Sequence, residues 1–116
     1  MKYIRIYTGT DGQSHFEDLD FEFAPRGDAT LTTPSTGASE VFFRRANPGY
    51  VNDWHKAPRR QYVITLAGQW EIEVGDGSKR TFGAGDILLA EDVTGQGHKS
   101  KVLGSQPRIY AFVPLS

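Results

Sequence analysis

The chain has 116 residues, of which 38% are hydrophobic and 23% charged, a composition typical of an ordinary soluble globular domain. Thirteen Lys and Arg residues against fourteen Asp and Glu residues give a net charge of −1, without the basic excess that nucleic acid or an anionic membrane surface requires. The chain has no cysteine, which excludes disulfides, thiolate metal ligands and a cysteine nucleophile. Without a signal-peptide pattern or a membrane-length apolar stretch, we expect one cytoplasmic domain over residues 1–116.

The first forty residues predict two strands and a loop. Residues 2–8 alternate apolar and polar side chains and lead into a turn at residues 9–12. In residues 15–23 apolar side chains fall at every second place between acidic ones, which predicts a half-buried strand. Residues 24–40 are rich in Pro, Gly, Ser, Thr and Ala, and we interpret them as a flexible loop that is a candidate flap over one end of the fold.

The rest of the chain predicts a regular series of short strands. Turns at Gly75-Asp76-Gly77 and at residues 83–86 separate them, and no segment has helical periodicity. This spacing is typical of an all-β sandwich or barrel. The predicted strands are residues 39–45, 61–67, 69–74, 79–82, 87–90, 98–104 and 107–115, with a hinge at Gly68 between the second and third.

The segment from Gln61 to Gly68 has apolar or small side chains on both of its faces. A strand buried on both sides has one face in the barrel and the other against a second layer. Because no helix is predicted to supply that layer, we expect a homodimer.

Two segments, within residues 40–114, resemble the two motifs of the cupin superfamily. The first motif has a Gly, two His, a Glu and a closing Gly, and here Gly49, His55 and Gly68 stand at three of these places. Ala57 stands at the place of the second His and Gln61 at the place of the Glu. The resemblance implies a double-stranded β-helix, a jelly-roll barrel with its functional residues on the inner wall.

The second motif begins at Gly85-Asp86 and reaches its histidine at His98. Glu91 replaces the usual Pro, Val102 replaces the closing Asn, and the approach to the histidine is two residues longer. With its Ser-His-Phe-Glu-Asp segment at residues 14–18, the whole chain is also similar to a group of small stand-alone bacterial cupins, for which the resemblance implies no single chemistry.

Metal-binding cupins use three His and one Glu, so the resemblance implies a metal site reduced to His55, Gln61 and His98. Two imidazoles and a neutral amide leave the charge of a divalent cation unbalanced unless Glu91, Asp53 or a substrate supplies an anion. A bound divalent metal (Fe, Mn, Ni or Zn) and a metal-free site are left equally open.

Alternation predicts that His98, Ser100 and Val102 face inward, since Lys99 and Lys101 must face water. We expect His55, His98 and Gln61 to be the catalytic residues, with one histidine as base and the other as acid. Two buried, structurally hydrogen-bonded histidines are the alternative.

Three further residues are candidates for substrate binding. Arg59 lies two residues before Gln61 and should share its inward face, where it can bind a carboxylate or phosphate, or else pair with Asp53 or Glu91. We place Tyr62 and Glu91 nearby, and a carboxylate at the end of residues 87–90 can fix the tautomer of His98. For Asp92, a solvated loop carboxylate is at least as consistent with its position.

The sequence thus supports an enzyme acting on a small polar or carboxylated metabolite in the barrel cavity. The reaction would be proton transfer of the isomerase, epimerase or lyase kind, with no metal or a weakly held one. A metal-dependent dioxygenase and a non-catalytic module that only binds a small ligand are the alternatives.

Overall fold

The computed structural model describes residues 1–116 and consists of strands and loops without helix. It therefore contains no helix that could span a membrane. The strands are β1 (Lys2–Thr8), β2 (Ser14–Asp20), β3 (Ala24–Pro25), β4 (Leu31–Thr32), β5 (Phe42–Ala46), β6 (Val51–His55), β7 (Gln61–Ala67), β8 (Gln69–Glu73), β9 (Lys79–Phe82), β10 (Ile87–Glu91), β11 (His98–Leu103) and β12 (Arg108–Pro114).

Two sheets form the body of the molecule. The larger has six strands in the order β2-β1-β10-β7-β12-β5, and the smaller has four in the order β6-β11-β8-β9. All pairs in these sheets are antiparallel except β1 with β10, which is parallel. Strands that are distant in sequence are neighbours in space, as in a jelly roll, so the predicted all-β fold is confirmed.

The inward faces of the two sheets supply the hydrophobic core. In β7 the residues Gln61, Val63 and Thr65 are buried, whereas Leu66 on the other face is 49% exposed. This strict alternation follows from the two-residue period of a strand. The buried core contains Ile6, Val63, Trp70, Ile72, Val74, Phe82, Leu88, Val102 and Tyr110.

Gly68 forms the predicted hinge between β7 and β8. Its φ of 78° is in the region that favours glycine, and a Cβ there would lie 2.6 Å from the carbonyl oxygen of Pro107 and 2.9 Å from Cα of Arg108. Only a glycine lets the hairpin pack this closely against the start of β12.

The structure differs from the sequence prediction at three places. The strand β6, which carries His55, is not predicted, because residues 51–55 lack clean alternation. Strand β2 ends at Asp20, which leaves Phe23 48% exposed. The segment 24–40 contains the small β3–β4 hairpin, and its Thr33, Pro34 and Thr36 lie beside Tyr62 on the outer face of the larger sheet.

Candidate active site

A cavity of about 360 Å³ lies between the two sheets. A volume of this size is at the lower end of the range for small-molecule sites. Both sheets contribute to the wall through residues that face inward by alternation. The wall residues are Phe42, Arg44, Tyr50, Asn52, His55, Ala57, Pro58, Arg59, Gln61, Val63, Trp70, Leu88, Ala90, His98, Ser100, Arg108, Tyr110 and Phe112.

His98 is held in place by a buried carboxylate. Its Nδ1–H donates a hydrogen bond of 2.6 Å to Oδ2 of Asp92, and the Ser14 hydroxyl donates to the same oxygen at 2.7 Å. All three residues are buried, with Asp92 0% exposed. This chain fixes the tautomer of His98 and leaves its Nε2 as the basic nitrogen for the cavity.

His55 lies next to His98, with the two ring centroids 4.5 Å apart. Its Nδ1–H donates to the carbonyl oxygen of Asp53 at 2.6 Å, and Nε2 accepts from the Asn52 amide at 3.2 Å. Burial lowers the pKa of His55, an effect that the neighbouring His98 reinforces and the Asp53 carbonyl opposes. His55 is therefore neutral at pH 7, with a defined tautomer.

A glycine allows the two histidines to approach each other. His98 and His55 are cross-strand partners of β11 and β6, and Gly97 precedes β11 with a φ of 77°. A Cβ on Gly97 would lie 2.0 Å from the carbonyl oxygen of His55, a distance that real atoms do not adopt. The close approach of His55 and His98 therefore depends on the absence of a side chain at Gly97.

Gln61 and Arg59 also lie on the cavity wall, as their positions in the sequence predict. Gln61 is buried at the start of β7. Arg59 is nearly half exposed, and its Nη1 lies 2.6 Å from Oε2 of Glu40. The ion-pair partner of Arg59 is thus Glu40, and not Asp53 or Glu91.

The placement of Tyr62 and Glu91 beside the cavity is wrong. Alternation explains both cases: Gln61 and Val63 line the cavity, so Tyr62 between them faces the outside of the sheet and packs near Tyr3. In β10 the inward residues are Leu88 and Ala90, so Glu91 points outward as well.

Glu91 is instead the centre of a surface ion-pair group. It accepts from Nε of Arg5 at 2.5 Å and from Nε of Arg60. Asp92, one residue further on, turns inward and is the carboxylate that pairs with His98. Of the two carboxylates at the end of residues 87–90, Asp92 contacts His98 and Glu91 does not, so Asp92 is not the solvated loop carboxylate that its position equally allowed.

Arg108 is a cavity residue that the motif spacing does not single out. It is 6% exposed, and its Cζ lies 3.4 Å from the ring centroid of Trp70 and 3.5 Å from that of Tyr110. The signal was present in the sequence, because alternation in β12 puts Arg108 on the same face as Tyr110 and Phe112.

The side chains in the cavity do not fit a resident divalent metal. No group of three or more His, Cys, Asp or Glu side chains is placed to hold an ion. Each charged side chain on the cavity wall is an arginine, and Nε2 of His55 already accepts a hydrogen bond from Asn52. Two imidazoles and the Gln61 amide in a positively charged cavity give a divalent cation no balancing charge.

Comparison with solved structures identifies the fold. A conserved protein of Klebsiella pneumoniae with a double-stranded β-helix domain, described as uncharacterized, aligns with a TM-score of 0.54 and 26% identity over 79% of this chain and 80% of that one. A protein of Neisseria meningitidis aligns with a TM-score of 0.52 and 14% identity over 84% of this chain and 88% of that one, which shows the fold alone. No family model and no curated protein matches the chain.

The protein thus has the double-stranded β-helix fold of the cupin type, as the resemblance of residues 40–114 implies. Fold does not determine chemistry in this class, so the function has to be argued from the cavity.

Proposed function

We propose that the protein is an acid–base enzyme that transfers a proton on a small polar or carboxylated metabolite in the cavity between the sheets. The observation that carries the proposal is the buried Ser14–Asp92–His98 chain, which leaves one basic ring nitrogen for the cavity. At about 30 Å³ per water-sized group, a volume of about 360 Å³ holds a ligand on the order of a dozen non-hydrogen atoms.

In this mechanism Nε2 of His98 removes a proton from the substrate. The imidazolium that forms has Asp92 as its counter-charge, and Ser14 holds the carboxylate in place. His55 stays neutral and presents a second imidazole beside His98, while the Gln61 amide offers a donor and an acceptor to polar groups of the substrate. Return of the proton to another position completes an isomerisation or epimerisation, and loss of a leaving group completes an elimination.

The test is hydrogen exchange, because it detects proton removal whatever the product is. Small polar and carboxylated metabolites are incubated with the protein in D₂O, and the loss of carbon-bound proton signals is followed by NMR. We expect the wild type to accelerate exchange for at least one compound class and His98→Asn to reduce the rate about 10²- to 10⁴-fold, the usual contribution of a general base. A chelator should leave the rate unchanged.

The matched control is His15→Asn, since His15 lies outside the cavity and pairs with Asp11. It should retain the wild-type rate. Exchange that survives His98→Asn would contradict the role of His98. Ligand binding without exchange of any compound would instead assign the cavity to a non-catalytic binding module. Loss of exchange on chelation, together with stoichiometric metal in elemental analysis, would restore the metal-dependent alternative.

A further inference from the structure

The guanidinium of Arg108 is enclosed by two aromatic rings. Its Cζ lies within 3.5 Å of the centroids of both Trp70 and Tyr110, and two rings this close to one carbon must cover opposite faces of its plane. The Trp70 ring is itself fixed, because its Nε1–H donates to the buried Thr65 hydroxyl at 2.8 Å. Only the edge of the guanidinium, which carries the N–H donors, remains for a partner.

No protein group takes that edge. Nε of Arg108 is buried without a hydrogen-bond partner, whereas the terminal amino groups keep access to the cavity space. Four of the other seven arginines pair with carboxylates: Arg5 and Arg60 with Glu91, Arg59 with Glu40, and Arg80 with Asp18. Arg108 belongs to no such pair, and a buried charge without a partner is costly to a protein.

The neighbours of Arg108 add positive charge. Arg44 also lines the cavity and has no carboxylate partner; it stacks on Phe112 at 5.0 Å. No Asp or Glu side chain lies on the wall, where the titratable groups besides the arginines and tyrosines are His55 and His98. Desolvation, opposed by Tyr110 and reinforced by Arg44, lowers the pKa of Arg108 to about 9, so that the group is still a cation at neutral pH.

We propose that Arg108, with Arg44 beside it, is the binding site for a carboxylate of the ligand. A carboxylate is planar and accepts two parallel hydrogen bonds from the edge of a guanidinium, which is the part that the Trp70–Tyr110 stack leaves open. The ligand would supply the negative charge that the protein itself does not place in the cavity. This proposal deepens the proposed function by naming the substrate as a small carboxylic acid, and to that extent it rests on it.

The first experiment compares each of two carboxylates with its neutral amide on the wild-type protein. Lactate and lactamide, and succinate and succinamide, are titrated by calorimetry at constant ionic strength, with inorganic phosphate as a further anion. We expect the acids to bind at least tenfold more tightly than the amides. Equal binding of acid and amide, or no binding of either acid, would overturn the proposal. Tighter binding of phosphate than of both acids would overturn the choice of a carboxylate.

The second experiment uses Arg108→Met, which keeps an apolar chain of similar length between the rings. Affinity for the acids should fall at least tenfold, while the melting temperature without ligand should be at least that of the wild type, because a buried unpaired charge is removed. The matched control is Arg45→Met, on the outer side of β5 next to Arg44, which should bind as the wild type does. Should Arg108→Met fail to fold, Arg44→Met at the exposed end of the pair should still weaken acid binding several-fold.

The two proposals fail separately. If His98→Asn retains acid binding and no compound undergoes exchange, the carboxylate site stands and the proposed function falls. If acid binding and proton exchange both survive Arg108→Met at wild-type levels, the carboxylate site falls and the proposed function stands.

Discussion

At the scale of single residues, the orientation of the His98 ring depends on two partners remote in the sequence. Ser14 comes from β2 and Asp92 follows β10, and both are buried where water cannot replace a lost hydrogen bond. One oxygen of Asp92, Oδ1, already has no hydrogen-bond partner. The carboxylate is thus held by few groups, and each of them should matter for stability as well as for function.

Replacement of Ser14 by Ala should be measurably destabilising. The substitution removes one of the two donors to Oδ2 of Asp92. Loss of a hydrogen bond to a buried polar group lowers the free energy of unfolding by about 1–3 kcal/mol. Urea unfolding measures the change, with the exposed Ser105→Ala as a control that should be within about 0.5 kcal/mol of the wild type. Equal midpoints for the two variants would show that the hydroxyl does not support Asp92.

His55 should make the protein less stable in acid. Its pKa in the folded state lies below the value of 6.5 for the unfolded chain, mainly because of burial. As the pH falls through 6.5 and then through the folded value, the unfolded state takes up a proton first, so the free energy of unfolding decreases. Between pH 7.5 and pH 5, the melting temperature of the wild type should therefore fall more steeply than that of His55→Gln. An equal fall in the two melting temperatures would show that His55 does not contribute to the loss of stability in acid.

At the scale of elements, β11 positions the site. It lies between β6 and β8, and it begins with His98 directly opposite His55. The register shifts between His98 and Ser100, so an irregularity follows the proposed catalytic position. Such irregularities re-aim side chains next to functional sites. Glycines with positive φ stand before and after this strand, at Gly97 and Gly104, in very different surroundings.

Gly97→Ala and Gly104→Ala should therefore differ sharply. Their φ angles are 77° and 73°, so the backbone penalty of about 1–2 kcal/mol is shared. A Cβ at Gly104 meets nothing within 4 Å, whereas one at Gly97 would lie 2.0 Å from the carbonyl oxygen of His55. Gly97→Ala should cost roughly 1–3 kcal/mol more, by overpacking, and should also separate the histidines. Equal losses of stability in denaturant titrations would contradict the close approach.

At the scale of the whole molecule, one part of the outer face of the larger sheet, formed by β5, β12 and the end of β7, exposes apolar side chains. Phe43 in β5 is 68% exposed, Leu66 in β7 is 49% exposed and Ile109 in β12 is 38% exposed, and these three strands are adjacent. The homodimer expected from residues 61–68 would cover this face, since neighbouring apolar side chains of this size are typical of interfaces.

The double variant Phe43→Glu/Leu66→Glu should then be a monomer. Light scattering after size exclusion should give twice 12.9 kDa for the wild type and 12.9 kDa for the variant, because two buried carboxylates per subunit oppose association. Val93→Glu is the matched control, since Val93 is 40% exposed in the loop between β10 and β11. A wild type that elutes as a monomer at micromolar concentration would contradict the dimer.

Local pattern made most of the fold predictable. The alternation in β1 and the turns around Gly68 and Gly77 place strands near their observed bounds without reference to long-range contacts. β6 was missed because Val51, Asp53, Trp54 and His55 do not alternate; its partner β11 keeps it extended. The extended conformation of β6 thus follows from its pairing with a distant strand and not from its local sequence.

For the site, the sequence by itself determined which residues could share the inner wall: His55, Gln61, His98 and Arg59 follow from motif spacing and the two-residue period of a strand. Only the tertiary structure decided their partners. Asp92 and not Glu91 accepts the hydrogen bond of His98, and Glu40 forms the ion pair with Arg59. Arg108 stacks on aromatic rings and has no anionic partner in the protein. The physical reason is that periodicity fixes the direction of a side chain relative to its own strand, whereas ion pairs and burial depend on which other strands the fold brings alongside.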